Sequence, residues 1–300
     1  RLVEDGELRR DFISASPPTR DLREAGWNLV VVSSGAIACG APLLGFERRP
    51  VDMPSLQACA SVGSAYSPPP TMRISGGGLL TSLVLLTRGD TARRTSYLHA
   101  RDALTRLVDL GVVPIVNEND TTAVDEIKFG DNDTLAALVS CLVSADLCVT
   151  LSDIDGLYTA NPSLDPTAKF IPRVDKIDAA IIGSAGDSTT TVGTGGMITK
   201  IRSCRILMTA GIESVICSGA EERPLVRLAA GQVGTRFVPP AARLEIAPRK
   251  LWIALGDSAH GFVTVDAGAA GALVERGSSL LPVGITGVEG SFAAGDVLDV

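Results

Sequence analysis

The sequence predicts an α/β fold in which a mostly parallel sheet is sandwiched by helices, followed by a small, incomplete β-rich module. Short apolar runs rich in β-branched residues alternate with segments of helical periodicity, a pattern typical of strands covered by helices on both faces. Polar motifs follow several of these runs, at the strand ends where such sheets bind ligands. After Pro239 and Pro240 the pattern changes to short strands and turns.

The first and larger part of the chain is expected to hold at least five strands and four helices. The strands are predicted over 28–32, 82–86, 112–116, 147–151 and 214–217, and the helices from Ala36 onward and over 96–110, 133–144 and 199–210. Proline and glycine runs lie within 67–78, where a further helix would otherwise be expected. Consecutive prolines cannot continue a helix, so these runs interrupt the helical pattern.

These patterns divide the chain into a domain over 1–238, a linker over 239–249 and a partial module over 250–300. Strands are predicted in that module at 251–255, 261–265, 284–288 and 296–300. A module of about 50 residues is small for an independent hydrophobic core. We therefore expect most of the core in the first domain.

Composition excludes several classes of function. The net charge of −7 argues against a nucleic-acid-binding surface spread over the whole protein. The 6 cysteines form no C-x-x-C pair and only 2 histidines could supplement them, so we predict buried, reduced thiols and a cytoplasmic location rather than zinc or disulfides. Neither a signal peptide nor an apolar run of the roughly 18 to 20 residues that span a bilayer is visible.

A glycine-rich turn over 193–196 runs directly into a helical pattern that contains Lys200. Glycine lets a ligand approach the backbone, and the unpaired amides at the start of a helix attract anions, phosphate above all. A lysine in the first turn is disfavoured by the helix dipole unless it meets an anion. A simple loop that begins a helix is the alternative interpretation.

Two polar strings lie further upstream. Residues 117–120 read Asn-Glu-Asn-Asp after an apolar strand, and their amide and carboxylate groups suit a ligand that carries both an ammonium and a carboxylate. Residues 130–133 read Gly-Asp-Asn-Asp before a helix expected to open at Thr134. A turn and an N-cap, respectively, are the alternative explanations.

Serines follow two other strands. Ser34, before Gly35, lacks the full G-x-S-x-G pattern of a hydrolase nucleophile because Val32 occupies the first glycine position, so we interpret it as an anion clamp. Ser152 and Asp153 begin a loop that suits a nucleotide base or ribose, or equally a tight turn.

Together these segments resemble the amino-acid kinase family, and within it the members that phosphorylate glutamate. The strings that carry the resemblance lie, in order, at 31–38, 113–120, 126–133, 153–162 and 193–200, and residues 250–300 resemble the start of a PUA domain. Each string alone is weak evidence, whereas the combination is specific and covers nearly the whole chain.

The resemblance implies an ATP-dependent kinase that converts L-glutamate to γ-glutamyl phosphate, the first step toward proline. It implies that Ser34, Asp120 and Asn132 hold glutamate and that Asp133 positions the catalytic Lys200. The residues implied to bind ATP are Ser152, Asp153, Thr194, Gly195, Gly196, Met197, Ile198, Thr199 and Lys200. Mg²⁺ would accompany ATP, held mainly by phosphates rather than by protein ligands.

The resemblance further implies a homo-oligomer and feedback inhibition by proline, although no residue identifies either. Family members begin with a strand and a Lys-x-Gly-Ser loop, and this chain starts at Arg1, just past that point. We therefore expect a chain without that lysine to be a weaker catalyst. The alternatives are a family member acting on a different acid or on UMP, and a non-catalytic RNA-binding or regulatory protein.

Overall fold

The computed structural model describes residues 3–4, 7–8, 22, 25–66, 80–122, 132–185, 196–220, 227–228, 233–240, 261–274, 276–290, 292, 298 and 300. The chain divides into two compact units, Arg1–Ile246 and Ala247–Val300. Most of the predicted linker over 239–249 lies outside the described residues, so its boundaries stay a prediction. The proline and glycine runs and the predicted strand 251–255 also lie outside them, as does most of 296–300.

The first unit alternates strands and helices. Its strands are β1 Val3–Glu4, β2 Glu7–Leu8, β3 Val31–Val32, β4 Thr81–Leu86, β5 Val113–Glu118, β6 Leu147–Ser152, β7 Leu157–Tyr158, β8 Phe170–Ile171, β9 Arg173–Val174, β10 Glu213–Ser218 and β11 Thr235–Phe237. Its helices are α1 Ala36–Leu43, α2 Met53–Tyr66, α3 Arg88–Ala92, α4 Arg94–Asp109, α5 Asn132–Leu142, α6 Ala179–Ser184 and α7 Met197–Thr209. Among the described helices, none has the length and apolar character that crossing a membrane requires.

The strands confirm the predicted α/β class with mostly parallel pairing, but those described hydrogen-bond as separate sheets rather than as one. The first sheet has the order β3-β5-β4, all parallel. The second has the order β6-β10-β11-β9, in which β6 and β10 are parallel and β11 is antiparallel to β10. The pairs β1-β2 and β7-β8 are small antiparallel ladders.

Strand β5 is the centre of the first sheet, and all six of its residues are buried. Val113 and Ile115 form its apolar core with Leu29 and Val31 packed against them. Strand β3 is shorter than the predicted 28–32, because its ladder with β5 consists only of Val31↔Ile115 and Val32↔Val116. The chain then leaves the sheet two residues before Ser34.

The second sheet buries one face under α7. The core there combines β7, β9, β10, β11 and α7, through the buried residues Leu157, Val174, Ile201, Cys204, Ile216 and Phe237. The Thr235 hydroxyl joins this core to the β7-β8 pair, since it accepts from the Leu157 amide at 2.7 Å and donates to the Ile171 carbonyl at 2.6 Å. This bond satisfies a buried backbone donor that would otherwise be costly.

Helices α1 and α2 contact each other backbone to backbone. A Cβ atom on Gly40 would lie 1.9 Å from the Cys59 carbonyl oxygen, and one on Gly63 would lie 1.7 Å from the Ala36 carbonyl oxygen. Only glycine fits at both places, so this pair of residues fixes how closely α1 lies on α2.

In the second unit, β12 (Gly261–Val265) pairs antiparallel with β13 (Ile285–Gly290). Strand β12 coincides with the predicted strand 261–265. Strand β13 begins one residue later than the predicted 284–288 and extends two residues further, to Gly290. A helix, α8 (Ala267–Val274), lies between the two strands and was not predicted. Its alanines favour a helix, although two glycines interrupt the periodic pattern.

Candidate functional site

The junction between the two sheets contains a mostly buried ion pair. The Lys200 Nζ lies 2.8 Å from Asp133 Oδ2, and the two side chains are only 15% and 14% exposed. Solvent and salt screen such a pair less than a surface pair. The two residues that the resemblance implies are catalytic are therefore in direct contact, which orients the lysine.

Helix α7 brings Lys200 to this point. The helix begins at Met197 rather than at the predicted 199, with Gly196 as its N-cap in an extended conformation and without a side-chain cap bond. The Thr199 hydroxyl lies 2.7 Å from the Gly196 carbonyl and 3.3 Å from Asp133 Oδ2. Because a hydroxyl carries one proton, the shorter bond dominates. The first amides of α7 have no partners within the helix, which suits an anion.

Helix α5 begins at Asn132, two residues before the predicted Thr134. The Asn132 Nδ2 donates to the Ser33 carbonyl oxygen just past β3, and to Asn117 Oδ1 in β5 at 3.2 Å. Ser33 and Asn117 are both buried. One amide group therefore ties the start of α5 to the carboxyl ends of two parallel strands.

Consecutive residues of α5 consequently contact the two halves of the first unit. Asn132 contacts the β3-β5 sheet, whereas Asp133 contacts α7, which packs on the second sheet. The helix itself packs against β3, β5, β6 and α7. This arrangement gathers discontinuous parts of the sequence at one place, as open α/β sheets do at their carboxyl ends.

Ser34 and Asp120 are close in sequence to two residues of the junction, Ser33 and Asn117. Ser34 is exposed and directly follows the buried Ser33, and Gly35 after it is the N-cap of α1, with φ of +94°. Asp120 is half-buried, two residues beyond the end of β5. Asn117, which lies inside β5 rather than in a turn beyond it, connects this segment to Asn132.

Ser152 and Asp153 form a second polar group, at the end of β6. The Ser152 hydroxyl donates to Asp153 Oδ1 at 3.2 Å, and the Ser152 carbonyl accepts from the Gly219 amide, past the end of β10, at 2.8 Å. Helix α7 precedes β10, and β10 is parallel to β6. The start of α7 therefore lies at the carboxyl edge of this sheet, where β6 ends at Ser152. Thr194 and Gly195 lie outside the described residues.

Buried thiols lie near the ion pair. Burial raises the pKa of the Cys204 thiol to about 12, and electrostatic coupling with Cys148, Asp133 and Lys200 is weaker than that effect. Burial likewise raises the pKa of Cys148. Thiols with such pKa values stay protonated at neutral pH, so they contribute packing rather than a nucleophile.

Sequence reasoning missed the two groups that hold Asn132, namely the Ser33 carbonyl and the Asn117 side chain. The bond to the Ser33 carbonyl could not be predicted from the sequence, because every residue has a backbone carbonyl. Asn117 has a sequence signal, because an amide side chain that follows the apolar residues 113–116 in a buried strand requires a polar partner.

Comparison with known proteins gives matches over most of the chain. The family model described as "Amino acid kinase family" matches residues 18–218, and that described as "PUA domain" matches residues 261–300. Both matches agree with the resemblance drawn from the motifs.

The chain is 47% identical to a glutamate 5-kinase of Anaeromyxobacter dehalogenans (strain 2CP-C) over 92% of this chain and 73% of the relative. It is 45% identical to a glutamate 5-kinase of Caulobacter vibrioides (strain NA1000 / CB15N) over 99% of this chain and 79% of the relative. A crystal structure of an isopentenyl phosphate kinase substrate complex superposes with a TM-score of 0.49 at 16% identity, covering 78% of this chain and 92% of that chain.

Proposed function

The chain belongs to the amino acid kinase family, and from this membership we propose that it catalyses ATP-dependent phosphorylation of the γ-carboxylate of L-glutamate. The product, γ-glutamyl phosphate, would begin proline biosynthesis. The supporting observation is the junction at the start of α5, where Asp133 holds Lys200 at 2.8 Å and the neighbouring Asn132 is fixed to two strand ends. The identity to glutamate 5-kinases supports glutamate as the acceptor.

The proposed reaction needs positioning and charge stabilisation more than proton transfer. A γ-carboxylate is already ionised at neutral pH, so no general base is required. A carboxylate oxygen would form the new bond to the γ-phosphorus while the bond from that phosphorus to the β–γ bridging oxygen breaks, leaving ADP. The Lys200 ammonium, fixed by Asp133, is suited to neutralise charge on the transferred phosphoryl group.

The residues at the start of α7 fit a nucleotide phosphate. Gly196 carries no side chain and makes no side-chain cap bond, so the first amides of α7 are open to an anion. We propose that Gly196, Met197, Ile198 and Thr199 bind the ATP phosphates. The same role for Thr194 and Gly195, outside the described residues, stays a prediction. Ser152 and Asp153 would bind the nucleoside part at the end of β6.

Mg²⁺ would enter with ATP and help to neutralise its phosphates. The described residues contain no group of three or more histidine, cysteine, aspartate or glutamate side chains that could hold a metal ion. Asp133 is engaged by Lys200. This donor set fits a magnesium ion coordinated chiefly by phosphate oxygens and water.

Ser34, Asp120 and Asn132 are the proposed glutamate-binding residues. Ser34 directly follows Ser33, Asp120 lies two residues past β5, and Asn132 begins α5 and bonds to Ser33 and Asn117. A homo-oligomeric state, feedback inhibition by proline and a cytoplasmic location stay predictions, as does the expectation that nucleic acid is not bound.

The test is glutamate-dependent release of ADP by the purified chain, with hydroxylamine present to trap the acyl phosphate as a hydroxamate. We expect ADP release together with hydroxamate formation for L-glutamate and ATP, and little ADP release with aspartate or UMP as the acceptor. Loss of the signal in Asp133→Asn would assign it to this site. Phosphorylation of UMP or aspartate in preference to glutamate would overturn the proposed acceptor.

A further inference from the structure

Thr235, the first residue of β11, is a polar residue within the apolar core of the second sheet. It is completely buried, with 0% of its surface exposed. Its hydroxyl accepts a hydrogen bond from the Leu157 amide at 2.7 Å and donates one to the Ile171 carbonyl at 2.6 Å. Leu157 and Ile171 are partners in the β7-β8 ladder, so one hydroxyl holds both strands of that pair against the second sheet.

Strand β11 is itself fixed at this point. Thr235 is the register partner of Ile216 in β10. Gly234, before it, has φ of +85°, and a Cβ there would lie 2.6 Å from the Ile216 carbonyl oxygen. The chain can approach β10 this closely only because residue 234 is glycine. The Thr235 hydroxyl is therefore a fixed point for the β7-β8 pair.

The loop that follows β6 ends on this fixed point. Ser152 is the last residue of β6 and Leu157 the first of β7, so only four residues connect them. Gly156 packs directly on the threonine, since a Cβ there would lie 2.6 Å from Thr235 Oγ1. Gly156 and Leu157 are buried, whereas the three residues before them are exposed. The loop is thus held at both ends and presents its middle to solvent.

We propose that Thr235 is a positioning residue for the nucleotide, which acts by fixing the loop that carries Asp153. The inference rests on the proposed function, in which Ser152 and Asp153 bind the nucleoside part of ATP. A short loop has little freedom once both of its ends are held, so Asp153 is in place before the nucleotide arrives. Without the hydroxyl, the Leu157 amide loses its partner and that end of the loop is released.

This role makes the nucleoside and the phosphates of the ligand separable. The phosphates are proposed to bind at the first turn of α7, where Lys200 is bonded to Asp133 of α5. Inorganic tripolyphosphate carries phosphates without a nucleoside, whereas ADP carries both parts. Removal of the Thr235 hydroxyl should therefore weaken ADP and ATP and spare tripolyphosphate. A purely structural role would weaken all three ligands together, or none of them.

The experiment measures the dissociation constants of ADP and of inorganic tripolyphosphate by calorimetry, with magnesium present throughout. Thr235→Val keeps the shape of the side chain and removes the hydroxyl. We expect it to weaken ADP by about tenfold, because the loop is then correctly placed only part of the time, and tripolyphosphate by less than about twofold. Thr235→Ser restores the hydroxyl and should bind ADP within about threefold of the wild-type chain.

Steady-state kinetics give a second readout. The KM for ATP should rise in Thr235→Val in proportion to the dissociation constant of ADP. The kcat and the KM for glutamate should stay within about twofold of the wild-type values, because the proposed phosphate and amino-acid contacts are unchanged.

Thr159→Val is the matched control. Thr159 is exposed just beyond β7, and its hydroxyl also accepts from a backbone amide, that of Lys169, at 2.9 Å. This change should leave both dissociation constants within about twofold of the wild-type values. If Thr235→Val lacks a cooperative thermal transition, Gly156→Ala carries the same comparison, because the added Cβ would displace the loop from Thr235 and keep the hydroxyl.

Equal weakening of ADP and tripolyphosphate in Thr235→Val would overturn the inference, as would an unchanged affinity for ADP or a failure of serine to restore it. The same loss of ADP in Thr159→Val would overturn it too, because the β7-β8 pair as a whole would then be responsible. Absence of glutamate-dependent turnover in a wild-type chain that binds ADP would instead count against the proposed function, since the binding comparison needs no turnover. No binding of ADP by the wild-type chain would refute both.

Discussion

At the scale of the residue, the central feature is a lysine held by one carboxylate in a place that water reaches poorly. Asp133 neutralises Lys200 in the absence of substrate, so the cation can be kept near 15% exposure without the cost of an unpaired buried charge. The bond also removes rotamer freedom from a long side chain before the phosphates arrive. In the proposed function, the pair is therefore formed before phosphoryl transfer rather than assembled by it.

We expect Lys200→Met to lower kcat by about 10²- to 10³-fold, the effect of removing one preorganised group that stabilises transition-state charge. The KM for glutamate should change much less, because Asn132 and its partners stay in place. Steady-state kinetics of ADP release will measure both constants.

Arg202→Met is the matched control for that change. Arg202 lies on the same helix, two residues further on, and is exposed. It should retain wild-type kcat within about twofold, as surface substitutions usually do. A similar loss in both variants would indicate that α7 is disturbed as a whole.

At the scale of the element, the contact between α1 and α2 sets the place of the segment that carries Ser34. The backbones meet at Gly40 and Gly63, and α1 begins directly after Gly35. A side chain at either glycine would push the helices apart and so move the start of α1 relative to β3. Stability and substrate binding should therefore change together.

We expect Gly40→Ala and Gly63→Ala each to destabilise the first unit by about 1–3 kcal/mol, the usual cost of overpacking. Urea unfolding followed by circular dichroism will measure the loss. Gly183→Ala is the matched control, since it is also in a helix and a Cβ there would meet nothing within 4 Å. That substitution should be neutral or should stabilise by up to about 1 kcal/mol.

Sequence patterns predicted the elements whose hydrophobic periodicity is local. Strand β6 begins at the predicted Leu147 and ends one residue after the predicted 151, and helix α5 begins one residue before 133 and ends two residues before 144. The very short strands, such as β9, were not predicted, because their ladder bonds depend on partners far away in the sequence. The same reason applies to the contacts of Asn132 with Ser33 and Asn117. The pattern around Asn117 indicates that it needs a polar partner, but it does not identify that partner.

At the scale of the whole molecule, the core described for the first unit is built mainly from aliphatic residues and thiols, with Tyr97 and Phe237 as buried aromatic side chains. Of the six cysteines, all of which lie in the described part, five are buried and none forms a disulfide. Burial raises the pKa of Cys141 and of Cys204 from the ordinary value of 9.0 to about 12. The folded state therefore binds a proton at pH values where the unfolded chain has released it.

This difference predicts that stability falls above about pH 9. Between the two pKa values the unfolded state holds fewer protons, so the free energy of unfolding decreases as pH rises, by about 1.4 kcal/mol per thiol from about pH 8 to about pH 10. Urea unfolding at the two pH values will measure it. Cys204→Ala should be less stable at both, with a smaller difference between them, and an unchanged difference would contradict the assignment.

The adjacency of Asn132 and Asp133 has a consequence for the coupling between the two proposed ligand sites. Asn132 bonds to the Ser33 carbonyl beside the proposed amino-acid site, and Asp133 bonds to Lys200, the cation proposed to meet the nucleotide. A small tilt of that single helical end displaces both at once. We expect occupation of one proposed site to alter the affinity for the other ligand, and by thermodynamic reciprocity the factor is the same in both directions.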